Sequence, residues 1–270
     1  MHALNPATDF HAFFDGLGRA RECVLLLDYD GTLAPFHERP QCARPYPEVA
    51  AALEELIEQA RTRVVIVSGR EVNDLLPLLP FKQRPELWGA HGWQRLLPDG
   101  TLVERKAGLA VSQKLNEAEG VARRLESIGA RLERKPASLA VHWRGLKEKN
   151  AATIRTAAAK LWQPLAGDNE VELMEFDGGL ELRALGHNKH HAVKTVLSET
   201  AGDGVVAYLG DDLTDEDAFA AVKTAHGLAV LVRPEPRSTC ADLWIQPPDE
   251  VVAFLERWRE HRAAQQPGSA

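Results

Sequence analysis

Short apolar runs without polar alternation recur near both ends of the chain. They lie at 24–27, 63–67, 87–91, 204–209 and 227–232. Between them, apolar residues recur every three or four positions, the spacing of one helix face. These helical segments lie at 9–21, 48–61, 190–201, 218–224 and 249–262. Because strands buried on both faces show no alternation, this order predicts a Rossmann-like α/β fold with a parallel sheet covered by helices on both sides.

The middle of the chain follows a different pattern, in which each of two helical stretches is followed by a pair of alternating strands. The helical stretches lie at 109–128, with many charges on one face, and at 147–165, rich in alanine; the strand pairs lie at 131–144 and 171–184. Alternation is typical of antiparallel strands with one polar face, so we predict an inserted α+β cap domain of order αββαββ. The predicted domains are a core at 1–107 and 186–264, a cap at 108–185 and a disordered tail at 265–270. Hinges are expected near Gly108 and Gly186.

Composition narrows the class of protein. The chain has 270 residues, 44% of them hydrophobic, and a formal net charge of -7. An acidic chain has no electrostatic reason to bind nucleic acid or an anionic membrane. No apolar run approaches the roughly 18 residues of a membrane helix, and the first ten residues do not resemble a secretory signal. Three widely spaced cysteines indicate a reducing compartment. We therefore expect a cytoplasmic monomer.

Polar residues follow three of the predicted strands. They are Asp28, Asp30, Gly31 and Thr32 after the first strand, Ser68 and Gly69 after the second, and Asp211 and Asp212 after the strand at 204–209. The carboxyl ends of parallel strands meet at one edge of a sheet, so these groups should converge on one crevice. Asn188 and Lys189 precede a helix, where backbone N–H groups and an ammonium suit an anion.

Neighbouring carboxylates at the end of a buried strand repel one another and lose hydration, so a bound cation is expected. Oxygen ligands suit Mg²⁺, and the candidate ligands are Asp28, Asp30, Asp211 and Asp212. Such an ion would cancel the repulsion between an anionic nucleophile and a phosphomonoester.

The two acids after the first strand receive different roles in this reaction. Asp28 would attack phosphorus and form an aspartyl-phosphate, while Asp30 would protonate the leaving oxygen and then activate water. The candidate phosphate-binding residues are Gly31, Thr32, Ser68, Gly69 and Lys189. Each motif alone has an ordinary explanation as a turn or a helix cap. Their order, each at a strand end or helix start, favours a phosphatase.

Four segments, D-Y-D-G-T-L, S-G-R, N-K and G-D-D-L-T-D-E-D-A-F, resemble the motifs of the haloacid dehalogenase superfamily. L-D-Y-D-G-T-L-A-P, G-A-H-G and E-R-K-P-A-S-L-A-V-H-W-R further resemble the trehalose-6-phosphate phosphatase family, which carries an αββαββ cap between the second and third motifs. The resemblance covers 20–255. It implies Mg²⁺-dependent hydrolysis of trehalose 6-phosphate, a step of trehalose biosynthesis, with the Asp30 carbonyl also on Mg²⁺.

The same resemblance implies where a sugar phosphate would be recognised. The family pattern maps onto Glu133, Lys135 and Glu181 in the cap, with Arg70, Arg144 and Asn188 as further substrate-binding candidates. Alternate positions share a strand face, so Glu133 and Lys135 can face the same ligand. The alternative is an ion-pair ladder on the solvent side of the cap sheet.

The sequence departs from the family pattern at two positions. Gln94 stands where the family often has Glu, and His190 follows Lys189 where the family usually has Gly. Both leave open another sugar phosphate, such as glucosylglycerol phosphate, as the substrate. A further alternative is a non-catalytic module that binds sugar phosphates, although the presence of Asp28, Asp30 and Lys189 argues against it.

Overall fold

A computed structural model describes residues 1–59, 61–167, 169–185 and 188–263. The chain forms two compact units. Met1–Leu102 together with Asn188–Ala270 form the core unit, and Val103–His187 form the cap unit. The predicted tail, the predicted hinge at Gly186 and His187 lie outside the described residues. Among the helices described, none is both long and apolar enough to cross a membrane.

The core unit is built on one sheet. Its strands are β1 (His2–Ala3), β2 (Cys23–Asp28), β3 (Arg63–Val67), β4 (Glu86–Gly89), β5 (Gln94–Leu96), β11 (Val205–Gly210), β12 (Leu228–Val232) and β13 (Leu243–Ile245). They are ordered β1-β13-β12-β11-β2-β3-β4-β5. All strands from β13 to β4 in this order run parallel, β1 pairs antiparallel with β13, and β5 pairs antiparallel with β4.

Helices cover both faces of this sheet. They are α1 (Phe10–Arg19), α2 (Pro47–Glu58), α3 (Val72–Leu75), α6 (Lys189–Glu199), α7 (Glu216–Thr224) and α8 (Asp249–Ala263). Successive residues of β2 point to opposite faces of the sheet. Leu25 and Leu27 pack in one core with α1, α2 and α8, whereas Val24 and Leu26 pack in another with α6 and α7. Burial on both faces explains the continuous apolar runs, and the predicted fold class is confirmed.

The cap unit contains α4 (Leu109–Ala122) and α5 (Glu148–Trp162), and its sheet has the order β7-β8-β10-β9. These antiparallel strands are β7 (Arg131–Lys135), β8 (Ser138–His142), β9 (Val171–Phe176) and β10 (Gly179–Ala184). Both helices contact the sheet. In register, Glu133 and Glu181 each lie beside Ala140, so the two carboxylates share one sheet face. The element order is the predicted αββαββ.

The predicted elements differ from the structure mainly where elements are short. The strand β6 (Leu102–Glu104) contains the boundary between the two units. The sequence analysis did not predict β1, α3 or β13, which have between two and four residues. Segments this short are below the length at which hydrophobic periodicity distinguishes a strand from a loop.

Candidate active site

The register of the core sheet brings the polar strand ends together. Asp28 at the end of β2 lies beside Val67 of β3, which places Ser68 in the adjoining loop. On the other side, Leu27 pairs with Leu209 of β11, so Asp211 follows one residue beyond that strand. Neighbouring parallel strands end at the same edge, and this edge carries the predicted acids.

Three buried carboxylates meet at this edge, and we call Asp28, Asp211 and Asp215 the acid cluster. One ligand oxygen from each lies within 4.8 Å of the others, an arrangement that could hold a metal ion. The buried ammonium of Lys189 donates to Asp28 Oδ1 at 2.6 Å and to Asp215 Oδ1 at 2.7 Å. Three carboxylates and one ammonium give these side chains a formal charge of -3 + 1 = -2.

Both carboxylate oxygens of Asp215 accept hydrogen bonds from neighbouring groups of the protein. Its Oδ1 accepts from Lys189 and from the Tyr208 hydroxyl at 2.6 Å. Its Oδ2 accepts the backbone N–H groups of Asp211 at 3.1 Å and Asp212 at 3.0 Å. An ionised carboxylate has about four lone-pair sites, and four donors already occupy those of Asp215. The cluster oxygens best able to bind a cation therefore belong to Asp28 and Asp211.

The sequence analysis did not include Asp215 among the candidate residues. The signal was present, because Asp215 follows Asp212 by three residues, the spacing of a capping box, and the structure has this box at the start of a short 3₁₀ turn, Leu213–Asp215. The predicted ligand Asp212 lies outside the cluster, and its Oδ1 accepts the Leu213 N–H at 2.7 Å.

Burial shifts the proton affinities of the acid cluster upwards. It raises the pKa of Asp28 to about 7, although the Lys189 ammonium opposes the shift. Burial, followed by the neighbouring Asp28 and Asp215, raises the pKa of Asp211 well above its usual value. The pKa of Lys189 is also raised, because its two carboxylate partners outweigh the burial that disfavours its charge. One ammonium is thus insufficient to stabilise three buried negative charges.

Asp30 has a different partner. Its two oxygens accept from Arg70 Nε at 2.7 Å and Nη2 at 2.6 Å, a bidentate pair. Arg70 also donates to the Pro40 carbonyl at 2.8 Å and lies over the ring of Tyr29. The predicted acid/base and a predicted substrate-binding residue are therefore joined to each other.

Of the predicted phosphate-binding residues, Lys189 and Gly31 contact the acid cluster directly. Thr32 is fully buried, and its Oγ1 has no hydrogen-bond partner among the described residues. Gly31 has a φ of +88°, and a Cβ there would overlap Asp211 Oδ2, so only glycine fits. Ser68 Oγ accepts the Arg70 N–H at 3.1 Å. A Cβ on Gly69 would approach the His91 imidazole to 2.7 Å.

Three further positions from the sequence analysis form hydrogen bonds around the site. Asn188 is the N-cap residue of α6, and its side chain donates to Asp217 Oδ2 at 2.8 Å. Gln94, at the position that departs from the family pattern, accepts the Val72 N–H at 2.8 Å. His190 Nδ1 lies 3.0 Å from the Asp217 carbonyl oxygen.

A second polar group, which we call the cap cluster, consists of Glu133, Lys135 and Glu181. Lys135 Nζ lies 3.5 Å from Glu181 Oε1 and 3.7 Å from Glu133 Oε1. Ser138 Oγ donates to Glu181 at 2.7 Å, and His142 Nε2 lies 2.7 Å from Glu133. Burial would raise the pKa of Glu133, but the His142 hydrogen bond and the Lys135 charge outweigh it, so this pKa is lowered.

The structure does not bring Arg144 into the cap cluster. Its guanidinium donates to the Asp177 carbonyl and forms an ion pair with the Asp177 carboxylate at 3.7 Å. Asp177 belongs to the turn between β9 and β10. Arg144 thus contacts a hairpin end rather than the polar face of the cap sheet.

Comparison with known proteins identifies relatives over most of the chain. The trehalose-phosphatase family model matches residues 26–243. The trehalose-phosphate phosphatase of Mycobacterium ulcerans is 34% identical over 258 residues, which are 90% of this chain and 63% of that protein. The chain therefore spans about three-fifths of the length of that relative.

Solved structures give the fold. The C-terminal domain of Candida albicans trehalose-6-phosphate phosphatase matches with a TM-score of 0.82 at 22% identity, covering 96% of this chain and 99% of that one. A structure from Bacteroides thetaiotaomicron, described among phosphatases of the HAD superfamily, matches with a TM-score of 0.60 at 17% identity, covering 88% and 95%.

The fold is thus that of the haloacid dehalogenase superfamily, with a parallel α/β core and a cap. Within it, the chain belongs to the trehalose-phosphatase family, as the model match over residues 26–243 shows. The resemblance stated from the sequence motifs is confirmed.

Proposed function

We propose that the protein is a Mg²⁺-dependent phosphatase that hydrolyses trehalose 6-phosphate to trehalose and phosphate. The observation that carries the proposal is the buried acid cluster at the ends of β2 and β11, with Lys189 as its only ammonium among the described residues. Family membership and the Mycobacterium ulcerans relative support the choice of substrate.

The donor chemistry of the acid cluster fits a divalent cation. Its formal charge of -2 is the charge that one such ion neutralises, and carboxylate oxygens are hard ligands. Asp28 and Asp211 would hold Mg²⁺ through their side chains, and the family resemblance adds the Asp30 carbonyl. When bound, the ion would reduce repulsion between the Asp28 carboxylate and the phosphoryl oxygens.

The reaction would use the chain's own groups in two steps. Asp28 attacks phosphorus, the bond to the sugar oxygen breaks, and Asp30 donates a proton to that leaving oxygen. Asp30 then takes a proton from the water that hydrolyses the aspartyl-phosphate. Because Arg70 holds both Asp30 oxygens, Asp30 must leave that pair to act as an acid. Lys189 and the Thr32 hydroxyl, which has no partner among the described residues, stabilise phosphoryl oxygens.

The cap cluster would bind the sugar. Carboxylates accept hydrogen bonds from hydroxyl groups and an ammonium donates to them, so these three side chains suit a polyol. Glu181 and Lys135 are buried and contact each other, and a sugar would replace part of these contacts with its hydroxyls. Arg70, Arg144 and Asn188 remain predicted substrate contacts.

The test is phosphate release from a panel of sugar phosphates, measured with Mg²⁺ and with a chelator. We expect trehalose 6-phosphate to have the highest kcat/KM and the chelator to abolish turnover. Equal or faster turnover of glucosylglycerol phosphate or another panel member would contradict the trehalose assignment. A cytoplasmic location and a monomeric state are further proposals, supported by the acidic composition and the three free thiols.

A further inference from the structure

Two arginines of the connection between β12 and β13 reach the loop that carries Asp211. Arg233 Nη1 donates to the Asp211 carbonyl at 3.2 Å. Arg237 Nε donates to the same carbonyl at 3.3 Å, and its Nη2 donates to the Asp212 carbonyl at 2.7 Å. Neither arginine belongs to the motifs discussed above, and the proposed reaction does not use them.

Arg237 is itself fixed by further contacts. Its Nη1 donates to the Glu216 carboxylate and to the Ser238 carbonyl at 2.8 Å. The other oxygen of Glu216 accepts the Cys240 N–H at 2.9 Å. The side chain of Arg237 is only 16% exposed. A planar guanidinium held by four acceptors in this way imposes its geometry on the groups it contacts.

The backbone at Asp211 and Asp212 is therefore held through both of its polar groups. The carbonyls accept from the two arginines, and the N–H groups donate to Asp215 Oδ2. Only the Asp211 carboxylate points into the acid cluster. An ion with strict octahedral geometry binds well only when its ligands are held in place.

We propose that Arg237, assisted by Arg233, is a positioning residue that holds the backbone of Asp211 so that its carboxylate can bind the divalent cation. The inference rests on the proposed function, because it assumes a Mg²⁺ site. Positioning and simple electrostatics predict opposite results. Removing a guanidinium removes positive charge near the site, which alone would strengthen Mg²⁺ binding. Loss of positioning would weaken it.

The test is calorimetric titration of the free protein with MgCl₂, without substrate. We expect Arg237→Met to weaken Mg²⁺ binding roughly tenfold and Arg237→Lys to weaken it less, since lysine keeps the charge but loses the fork. In a parallel assay, saturating Mg²⁺ should restore most of kcat to Arg237→Met, because the chemistry itself is intact. A merely structural defect would not be restored in this way.

Arg262 supplies the matched control. Its partly buried guanidinium also donates to backbone carbonyls, those of Leu17 and Ala20 at 2.9 Å, which precede the start of β2. Arg262→Met should lower the melting temperature while leaving the Mg²⁺ affinity within about twofold. If Arg237→Met does not fold, Arg233→Met removes one donor from the same carbonyl and should show a smaller loss of affinity.

Unchanged or tighter Mg²⁺ binding in Arg237→Met, or in Arg233→Met if that variant is used, would overturn the inference. Its failure can be told apart from failure of the proposed function. If the wild-type protein binds Mg²⁺ but does not hydrolyse trehalose 6-phosphate, only the proposed substrate is refuted, and the inference about Arg237 can still be tested. Wild-type protein that binds no Mg²⁺ refutes both.

Discussion

The acid cluster and the cap cluster both combine carboxylates with one lysine, but the pKa values of their carboxyl groups are shifted in opposite directions. In the acid cluster, burial raises the pKa of Asp28 and of Asp211, and Lys189 compensates only part of this effect. In the cap cluster, the His142 hydrogen bond and the Lys135 charge lower the pKa of Glu133 despite its burial. The difference indicates that the acid cluster keeps an uncompensated negative charge, whereas the two carboxylates of the cap cluster are balanced by Lys135 and by the neighbouring Arg131, whose Nη1 lies 3.1 Å from Glu133.

This contrast bears on how each cluster would act. A group with excess buried negative charge favours the arrival of a cation, and the bound cation then attracts phosphate. A group whose charges are already paired has no need of a further ion and can exchange one hydrogen-bond partner for a hydroxyl group at little net cost, which suits a neutral sugar. Each prediction below changes a residue of one of the two clusters and leaves the other cluster intact.

The largest effect should come from the proposed nucleophile. Asp28→Asn removes the attacking oxygen, so we expect kcat to fall by about 10³-fold or more in a phosphate-release assay. Asp242 is a matched control, because it is buried in the same unit and bonded to Asn5, Thr8 and Lys223. Asp242→Asn should lower stability but retain activity in the folded fraction. An active Asp28→Asn enzyme would refute the covalent mechanism.

Lys189 should have the next largest effect, on stability. Lys189→Met leaves Asp28 and Asp215 without their buried ammonium, so we expect a loss of about 3–5 kcal/mol in urea unfolding with a chelator present. Mg²⁺ should recover part of the loss. Lys223→Met breaks a more exposed pair with Asp242 and should cost about 1 kcal/mol. Equal losses of unfolding free energy in the two variants would mean that a cation stabilises the acid cluster no more than it stabilises a partly exposed ion pair.

Glu181 tests the cap cluster through substrate preference. Glu181→Ala removes the carboxylate that would accept a hydrogen bond from a sugar hydroxyl, and a lost hydrogen bond of this kind costs about 1–2 kcal/mol, or roughly tenfold in KM. We expect this increase for the sugar phosphate and little change for p-nitrophenyl phosphate. Glu175, an exposed carboxylate paired with Arg155, is the control. A similar increase for both substrates would show that Glu181 does not contact the sugar.

The smallest predicted effect is the pH dependence of the Glu133 contribution. The pKa of this carboxyl is lowered by folding, so its stabilising contribution is present above the usual value of 4.5 and is lost progressively as the pH falls below it. Glu133→Gln should therefore cost about 1 kcal/mol near neutral pH and less in acid, measured by urea midpoints at several pH values. A difference that is independent of pH would show that the charge of Glu133 does not stabilise the cap.

Sequence patterns predicted the core sheet well because its strands are buried on both faces. The runs ending at Asp28 and Val67 carry no alternation, and this pattern is specific to a covered parallel sheet. The cap order was predicted because alternation marks antiparallel strands. Short elements such as β13 could not be predicted, because three residues carry no period.

Contacts between distant segments were the other limit of sequence reasoning. The pairing of Asp30 with Arg70 depends on side-chain geometry across two loops. The same holds for the contact between Arg237 and the Asp211 carbonyl, because the spacing of these residues in the sequence does not predict that they meet. Asp215 differs, because its capping-box spacing from Asp212 was visible in the sequence.

The contrast between the two clusters is tested most directly by Mg²⁺ titration of the free protein by calorimetry. We predict that the wild type binds one Mg²⁺, that Asp211→Asn abolishes binding, and that Glu181→Ala leaves it unchanged. The reason is that the acid cluster keeps an uncompensated charge, whereas Lys135 and Arg131 balance the two carboxylates of the cap cluster. Mg²⁺ binding that survives Asp211→Asn, or that is lost in Glu181→Ala, would contradict the account.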